Sequence, residues 1–309
     1  MRLLPSQVRN GVVDIAVEDE AAAVWVAQRY LSYFQGPLTP ANDHVANCAD
    51  QRQLRGVVPA NRLRVYDMKT VITLIADTDS VLFLRQGYGV GVHTALVRVG
   101  GRSVGVIANS PLHLGGAIDT EAALKGARFM ELCDAFDIPI LSLVDCPGFM
   151  VGPSSERESS VRKFSRLFVI GASITVPFFT VYTRKGYGLG AMAMAGGNNM
   201  GRETFCVAWP TGEFGGLGLE GAAKLGYAKQ LEKARQAGGV AAEKVLYTKL
   251  LGAMYEKGRA LSNTMEGELD DTIDPAETRR WVLMGLDLAA PDAAARKRRG
   301  KKRPGISTW

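Results

Sequence analysis

The chain has 309 residues, of which 47% are hydrophobic and 22% charged, a composition typical of a globular protein with one large domain or two small ones. It contains no run of about 18 or more uncharged apolar residues and no apolar segment after Met1, so we expect neither a membrane span nor a secretory signal. The four cysteines are widely spaced, which argues against a metal site or redox pair and favours a reducing, cytoplasmic location.

The net charge of +6 is concentrated at one end of the chain. Seven of the 37 basic residues lie between Arg296 and Arg303, which leaves 30 basic against 31 acidic residues, a net charge of −1. We therefore expect no nucleic-acid-binding surface on the folded part. Residues 291–309 are predicted to form a basic, disordered tail, and binding of this tail to RNA, DNA or an acidic surface stays open.

The first third of the chain is predicted to contain a helix, a loop and a strand hairpin. Residues 12–17 alternate like a short strand, and residues 18–34 have helical spacing with acids in the first turn. Residues 35–66 are typical of an extended loop, and a short helix is predicted for 67–76. The Gly100-Gly101 pair indicates a hairpin turn. The predicted strands cover residues 81–86, 91–99 and 102–108.

Strands then alternate with helices along the rest of the chain. Such alternation predicts an α/β domain in which most strands pair in parallel. The predicted helices cover residues 119–136, 155–173, 191–198 and 220–261, and the predicted strands cover 138–144, 174–182 and 204–209.

Four junctions between a strand and a helix are rich in glycine or other small residues. The most informative is Thr183-Arg-Lys-Gly-Tyr-Gly-Leu-Gly190, which leads into the small-residue run 191–195. Backbone N–H groups at such a junction have no intrahelical partner and can bind an oxyanion. A plain turn, with glycines that serve close packing, is the alternative. The other junctions surround Gly115-Gly116 and occupy residues 145–152 and 209–222.

Side chains suited to nucleophilic or metal chemistry are scarce. The sequence shows no Ser-His-Asp set and no HExxH, CxxC or GxxxxGK[ST] motif. A structural role is expected for His113, and Asp145 is interpreted as either a capping or a chemical residue. Cys146 has no activating partner, so it is not predicted to be a nucleophile. Catalysis by oriented backbone amides is the chemistry that these observations favour.

Four stretches of the chain together form a specific pattern. They are Gly105–Asp119 with Lys125–Phe129, Leu132–Ile140 leading into Val144–Gly152, Thr183–Gly190, and Leu269–Arg279. Their residues, order and spacing resemble the carboxyltransferase (β-type) component of biotin-dependent acyl-CoA carboxylases, within the crotonase-like superfamily. This resemblance implies an α/β crotonase-like fold, a spiral of strand-strand-helix units, as a single domain over residues 36–290.

Members of this family have two crotonase-like domains in tandem, the first mainly for acyl-CoA and the second mainly for carboxybiotin. The chain resembles the second, C-terminal domain, and residues 1–35 resemble a remnant of the first domain with its connecting helix. The resemblance therefore implies a CoA-binding carboxyltransferase domain on another chain, a biotin carboxyl carrier, a biotin carboxylase and an oligomer. A truncated reading frame is the alternative.

The implied reaction moves carboxylate from carboxybiotin to the α-carbon of an acyl-CoA, with biotin as cofactor and acyl-CoA as substrate. Two alternatives remain open. One is the carboxyltransferase of a biotin-dependent decarboxylase, which runs the reverse transfer. The other is a silent homologue that lacks the CoA-binding half and only helps to assemble a complex. Neither a membrane nor a nucleic acid is expected as a partner.

The resemblance also assigns residues to the site. The backbone N–H groups of Leu189 and Gly190 would form the oxyanion hole for the ureido oxygen of biotin. Many members have Tyr-Gly-Gly-Ala-Tyr-Asp where this chain has Tyr-Gly-Leu-Gly-Ala-Met, so the Leu189 side chain must point away from biotin. The remaining biotin-binding residues would be Gly148, Phe149, Tyr187 and Gly188.

Three further residues are assigned to the acyl-CoA side of the site, namely Gly115, Gly116 and Met192. Met192 stands where many propionyl-type members have Asp and acetyl-type members have an apolar residue. The resemblance therefore argues against a propionyl group and favours another acyl group, although Met192 as a core-filling residue is an alternative. No metal ligand is predicted.

Overall fold

A computed structural model describes residues 4–37, 48–197 and 204–289 of the chain. The strands are β1 (Leu82–Leu84), β2 (Val92–Val99), β3 (Arg102–Asn109), β4 (Ile140–Cys146), β5 (Phe178–Tyr187), β6 (Thr204–Ala208), β7 (Glu213–Gly215) and β8 (Asp271–Thr272). The helices are α1 (Leu4–Arg9), α2 (Glu20–Ser32), α3 (Met68–Ile75), α4 (Thr120–Ala135), α5 (Pro153–Arg157), α6 (Ser160–Ser173), α7 (Gly188–Met194), α8 (Leu219–Gly226), α9 (Ala228–Lys257), α10 (Ala260–Met265) and α11 (Thr278–Leu288).

The described strands form one mixed sheet in the order β1-β2-β3-β4-β5-β6-β8, with β7 paired to β5. The first three strands are antiparallel, and the pairs from β3 onwards are parallel. The predicted hairpin is confirmed between β2 and β3, where Gly100 and Gly101 have φ values of 59° and 73°, as a two-residue turn of this kind requires. The prediction of mainly parallel pairing is also confirmed.

Two hydrophobic cores lie on opposite faces of the sheet. Helices α4, α6 and α7 cover one face, and helices α3 and α11 cover the other. Every residue of β4 is buried, as expected for a central parallel strand with helices on both sides. The sheet is therefore a rigid platform whose strand ends carry the loops of the site.

Three of the predicted helices have an aspartate as N-cap, within one residue of the predicted start. The carboxylates of Asp19, Asp67 and Asp119 accept hydrogen bonds from backbone amides in the first turns of α2, α3 and α4, at 2.7, 2.9 and 2.8 Å. Such capping satisfies amides that otherwise have no partner at a helix start. The helices predicted for residues 18–34, 67–76 and 119–136 are therefore confirmed.

Several predicted elements differ from the structure. Residues 12–17 form no strand. Their alternation of apolar and polar residues matches an alternation in burial, since Ile15 packs on the core and Val12 is exposed. The helix predicted for 155–173 is split into α5 and α6 at Ser159, whose φ is 57°. The helix predicted for 220–261 is divided into α8, α9 and α10, and α9 itself bends at Gly238-Gly239, where glycine permits a non-helical backbone.

The largest difference concerns β5, which continues to Tyr187 instead of ending at residue 182. Helix α7 begins at Gly188, three residues before the predicted start at Ala191. This shift places Leu189 and Gly190 in the first helical turn. The predicted helix end at Asn198 and the tail 291–309 lie outside the described residues, as does part of the predicted loop 35–66. Among the described residues, no helix combines the length and apolar character needed to span a bilayer.

Candidate active site

Three loops meet at the carboxyl ends of the adjacent parallel strands β3, β4 and β5. They contain Gly115-Gly116, Gly148-Phe149 and Gly188–Gly190. The Ile118 amide donates to the Gly148 carbonyl at 3.1 Å, and the Met150 amide donates to the Ile118 carbonyl at 2.9 Å. The structure thus brings together the glycines that the sequence assigns to the site, at the sheet edge where open α/β sheets bind ligands.

Backbone packs directly on backbone at two of these glycines. A Cβ atom on Gly190 would lie 2.7 Å from the carbonyl carbon of Gly148, and one on Gly116 would lie 2.1 Å from the carbonyl oxygen of Asp145. Neither position has room for a side chain. Both glycines therefore serve close packing, which was the alternative interpretation of the junction that contains Gly190. The same packing also restrains the backbone amides nearby.

The turn from β5 into α7 places the backbone amides of Leu189 and Gly190 at the start of a helix. Gly188 has a φ of 59°, and a Cβ there would lie 2.7 Å from the carbonyl oxygen of Gly216. Among the described residues, no side chain caps α7, and the N–H groups of Leu189 and Gly190 belong to its first turn, where intrahelical acceptors are lacking. The Leu189 side chain is 63% exposed, so it does not fill the core beneath the turn.

Two aromatic residues of the predicted site have partners inside the protein. The Tyr187 ring is buried, and its hydroxyl donates to Glu213 at 2.8 Å. Burial and the neighbouring Glu213 carboxylate raise the pKa of Tyr187, so the phenol is neutral. The Phe149 ring stacks on Phe164 with centroids 4.3 Å apart. Both rings therefore support the loops from beneath.

A buried ion cluster lies under the loops. Asp145 is fully buried at the end of β4, and its carboxylate is 2.9 Å from Nη2 of Arg184 and 3.3 Å from Nζ of Lys185. The Lys185 amide also donates to this carboxylate at 3.2 Å. Asp145 is therefore an ion-pair partner of β5, and the two cations compensate its charge where an unpaired carboxylate would be costly.

Exposed apolar side chains flank the loops. They are Leu114, Val151, Leu189 and Met192, with exposures of 50, 79, 63 and 43%. Met192 lies on α7 two residues beyond Gly190 and does not fill the core, which removes that alternative. An apolar surface of this kind beside a polar turn suits an apolar ligand or a second protein domain.

Other residues considered from the sequence have structural roles. His113 Nε2 lies 2.9 Å from the Asp119 carboxylate, which caps α4. Burial raises the pKa of Cys146 to about 12, so its sulfur is a thiol and a poor nucleophile. Within the described ranges, no three His, Cys, Asp or Glu side chains are grouped to bind a metal ion.

Sequence reasoning missed two residues that support the loops. Lys185 Nζ donates to the Gly115 carbonyl, and Asn109 Nδ2 donates to the Gly116 carbonyl at 3.1 Å. Lys185 reaches the Gly115 loop from β5, a distant segment of the chain, whereas Asn109 ends β3 and binds the loop that follows this strand. Neither contact has a sequence pattern that predicts it.

Comparisons with known proteins agree with this geometry. The family model of the carboxyl transferase domain matches residues 6–304. The chain is 34% identical over 289 residues to the methylmalonyl-CoA carboxyltransferase 12S subunit of Propionibacterium freudenreichii subsp. shermanii, with 91% of the chain and 53% of the relative covered. It is 32% identical over 280 residues to the propionyl-CoA carboxylase beta chain of Cereibacter sphaeroides, with 89% and 52% covered.

Solved structures show the same fold. The transcarboxylase 12S hexamer with bound methylmalonyl-CoA matches with a TM-score of 0.82 and 29% identity over 98% of this chain and 57% of that one. A single-chain, multi-domain long-chain acyl-CoA carboxylase matches with a TM-score of 0.80 and 50% identity over 91% and 27%. The expected crotonase-like α/β fold is thereby confirmed. The chain spans about half the length of the curated relatives it matches, and it belongs to the carboxyl transferase domain family.

Proposed function

We propose that the chain is the biotin-side half of an acyl-CoA carboxyltransferase, the activity that transfers carboxylate from carboxybiotin to the α-carbon of an acyl-CoA. The observation that carries this proposal is the packing of the Gly148-Phe149 backbone directly against Gly190, in the first turn of α7, for which the described residues provide no side-chain cap. Membership of the carboxyl transferase domain family supports it. The names of the relatives, which act on propionyl-CoA and methylmalonyl-CoA, support it further.

The residues present suit the ureido group of biotin, because two adjacent N–H groups lie in the first turn of a helix for which the described residues provide no side-chain cap. Gly148 and Gly188 add no side-chain bulk beside this turn. Carboxybiotin supplies the carboxylate when it is bound. The amides of Leu189 and Gly190 would hold the ureido oxygen, and fixed donors stabilise charge there without reorganising. The backbone around Gly148 and Phe149 would form the opposite wall.

We further propose that the acyl group is long. The identity to the long-chain acyl-CoA carboxylase is 50%, against 34% for the methylmalonyl-CoA enzyme and 32% for the propionyl-CoA enzyme. Met192, which stands at the position of an Asp in many propionyl-type members, is apolar and exposed. Gly115, Gly116 and Met192 would line the acyl side of the site, where an apolar chain is better accommodated than beside a carboxylate.

The partners proposed are a CoA-binding carboxyltransferase domain on another chain, a biotin carboxyl carrier and a biotin carboxylase. The hexameric transcarboxylase supports an oligomer. A cytoplasmic location is proposed with them, and the lack of a disulfide among the four cysteines, all within the described residues, supports a reducing compartment.

The proposal is tested by transfer of labelled carboxylate from a carboxylated biotin carrier to acetyl-, propionyl- and palmitoyl-CoA. The chain co-purified with a CoA-binding partner should carboxylate palmitoyl-CoA in preference to the shorter substrates, whereas the chain alone should transfer nothing. Transfer by the chain alone would contradict the half-site proposal. Inactivity of the assembled complex in both directions would favour the silent homologue, and preferred transfer back to biotin would favour the decarboxylase.

A further inference from the structure

Lys185 connects two of the three glycine loops. It lies on β5 three residues before Gly188, and its side chain is only 19% exposed. Its ammonium donates to the carbonyl of Gly115 and lies 3.3 Å from the carboxylate of Asp145. One side chain therefore reaches from the strand that leads into α7 to the loop that follows β3.

The Asp145 carboxylate that binds this ammonium is itself held by other groups. Asp145 is fully buried and is also 2.9 Å from the guanidinium of Arg184, which donates to the Arg64 carbonyl at 2.7 Å. Separation of these buried charges would leave each without its partner, at a high cost in free energy. The position of the Lys185 ammonium is therefore determined by the strand ends and not by solvent.

The Gly115-Gly116 loop is held at two consecutive carbonyls. Lys185 binds the first, and Asn109 Nδ2 binds the second at 3.1 Å. Gly116 also packs on the carbonyl of Asp145. Since the φ values of the two glycines are 64° and 95°, the loop has a backbone that few other residues adopt. Side chains from β3 and β5 restrain it.

The segment from Lys185 to the amides of α7 is short and paired. Lys185, Gly186 and Tyr187 pair with β7, and Leu189 follows two residues later. A displacement of Lys185 would therefore be passed to the first turn of α7 or to the Gly115 loop. The side chain couples the wall formed by Gly115-Gly116 to the pair of amides.

We propose that Lys185, held by Asp145, is a positioning residue that keeps the Gly115-Gly116 wall at a set distance from the amides of Leu189 and Gly190. This inference rests on the proposed function, and Lys185 acts through the Gly115 carbonyl without touching a reactant. A set distance matters because a misplacement of about 1 Å between reacting groups costs on the order of 10²-fold in rate.

The activity test uses Lys185→Cys in the chain co-purified with its CoA-binding partner. We expect kcat to fall about tenfold or more while KM for acyl-CoA changes less, since positioning acts on the reaction step. Alkylation of the new cysteine with 2-bromoethylamine restores an ammonium at nearly the same reach and should recover much of kcat. Iodoacetamide, which adds a neutral group, should not, and wild-type enzyme treated in parallel controls for the native cysteines.

Lys185→Arg separates positioning from charge compensation. It keeps a cation beside Asp145 but changes the length and shape of the group that binds Gly115, so we expect a folded enzyme with reduced kcat. Full activity of Lys185→Arg and Lys185→Cys, or no recovery with bromoethylamine, would overturn the inference. If the wild-type complex itself transfers no carboxylate, the proposed function fails instead.

Hydrogen exchange on the chain itself tests the contact without the reaction. Lys185→Cys should speed exchange at the amides of residues 114–117 by about tenfold relative to wild type, because the loop loses one of its two carbonyl anchors. Lys229→Cys, at an exposed lysine on α9, is the matched control and should leave these amides unchanged. Equal protection in Lys185→Cys and wild type would contradict the coupling.

Discussion

The single residues that shape the site act mainly through the backbone. Gly190 and Gly116 are required because neighbouring backbone atoms occupy the space of a side chain. In the proposed site Leu189 would contribute its backbone amide, and its side chain is exposed. Few side chains are needed for chemistry of this kind, since oriented N–H groups stabilise a developing negative charge.

Replacement of Leu189 by proline removes one of the two amides. Proline is tolerated sterically in the first turn of a helix, so α7 should persist while carboxyl transfer falls about 10²-fold or more. The measurement is kcat of the assembled enzyme with palmitoyl-CoA. Leu189→Ala keeps the N–H and should stay within a few-fold of wild type. A folded Leu189→Pro enzyme with near wild-type rates would reject the assignment of this amide.

One buried lysine of helix α4 binds the backbone of the segment after β1. Lys125 is 2% exposed, and its ammonium donates to the carbonyls of Arg85 and Tyr88, each at 2.9 Å. Burial, and next the nearby Arg85 cation, lower the pKa of Lys125 to about 7. The contact therefore joins α4 to this segment. Its contribution to the free energy of unfolding depends on pH, because burial penalises the charged ammonium.

Lys125 should make stability rise with pH in the alkaline range. Its ordinary pKa is 10.5 and its folded pKa is about 7, so between these values the unfolded chain binds more protons than the folded chain. In that window the free energy of unfolding increases with pH, and below it the contribution is constant. Urea unfolding of wild type and Lys125→Met at pH 6, 8 and 10 measures the difference between the two proteins. A difference that does not change with pH would contradict this assignment.

The basic charge of the chain is concentrated in residues 296–303, and the rest of the chain is nearly neutral. The full chain has a net charge of +6 and a calculated isoelectric point of about 9.1, whereas the chain without residues 296–303 has a net charge of −1. Attraction to polyanions should therefore depend on this end, and assembly of the enzyme should not.

Deletion of all residues after Ala295 tests this division. The shortened chain should lose retention on heparin at low salt, and it should still co-purify with the CoA-binding partner and the biotin carrier. Full-length chain at about 1 M salt is the control, since exposed charges are screened there. Loss of the complex upon deletion would show instead that the basic end takes part in assembly.

Local sequence features predicted the α/β class, the hairpin at Gly100-Gly101, the helices at residues 18–34, 67–76 and 119–136 and the four glycine-rich junctions. These features are local, because they depend on spacing, capping and backbone freedom within a few residues. The residues, order and spacing of four stretches, of which three contain such junctions and the fourth is Leu269–Arg279, carried the resemblance to the family. The glycines assigned to the site lie together because three neighbouring parallel strands end at one edge.

The end of β5 and the contacts beneath the loops depend on long-range packing. Tyr187 belongs to the strand because residues 185–187 pair with β7, a segment about 28 residues later in the chain. The partners of Asp145 and the contact from Lys185 to Gly115 also join distant segments. Such contacts depend on burial and on the alignment of strands, and no local sequence pattern encodes them.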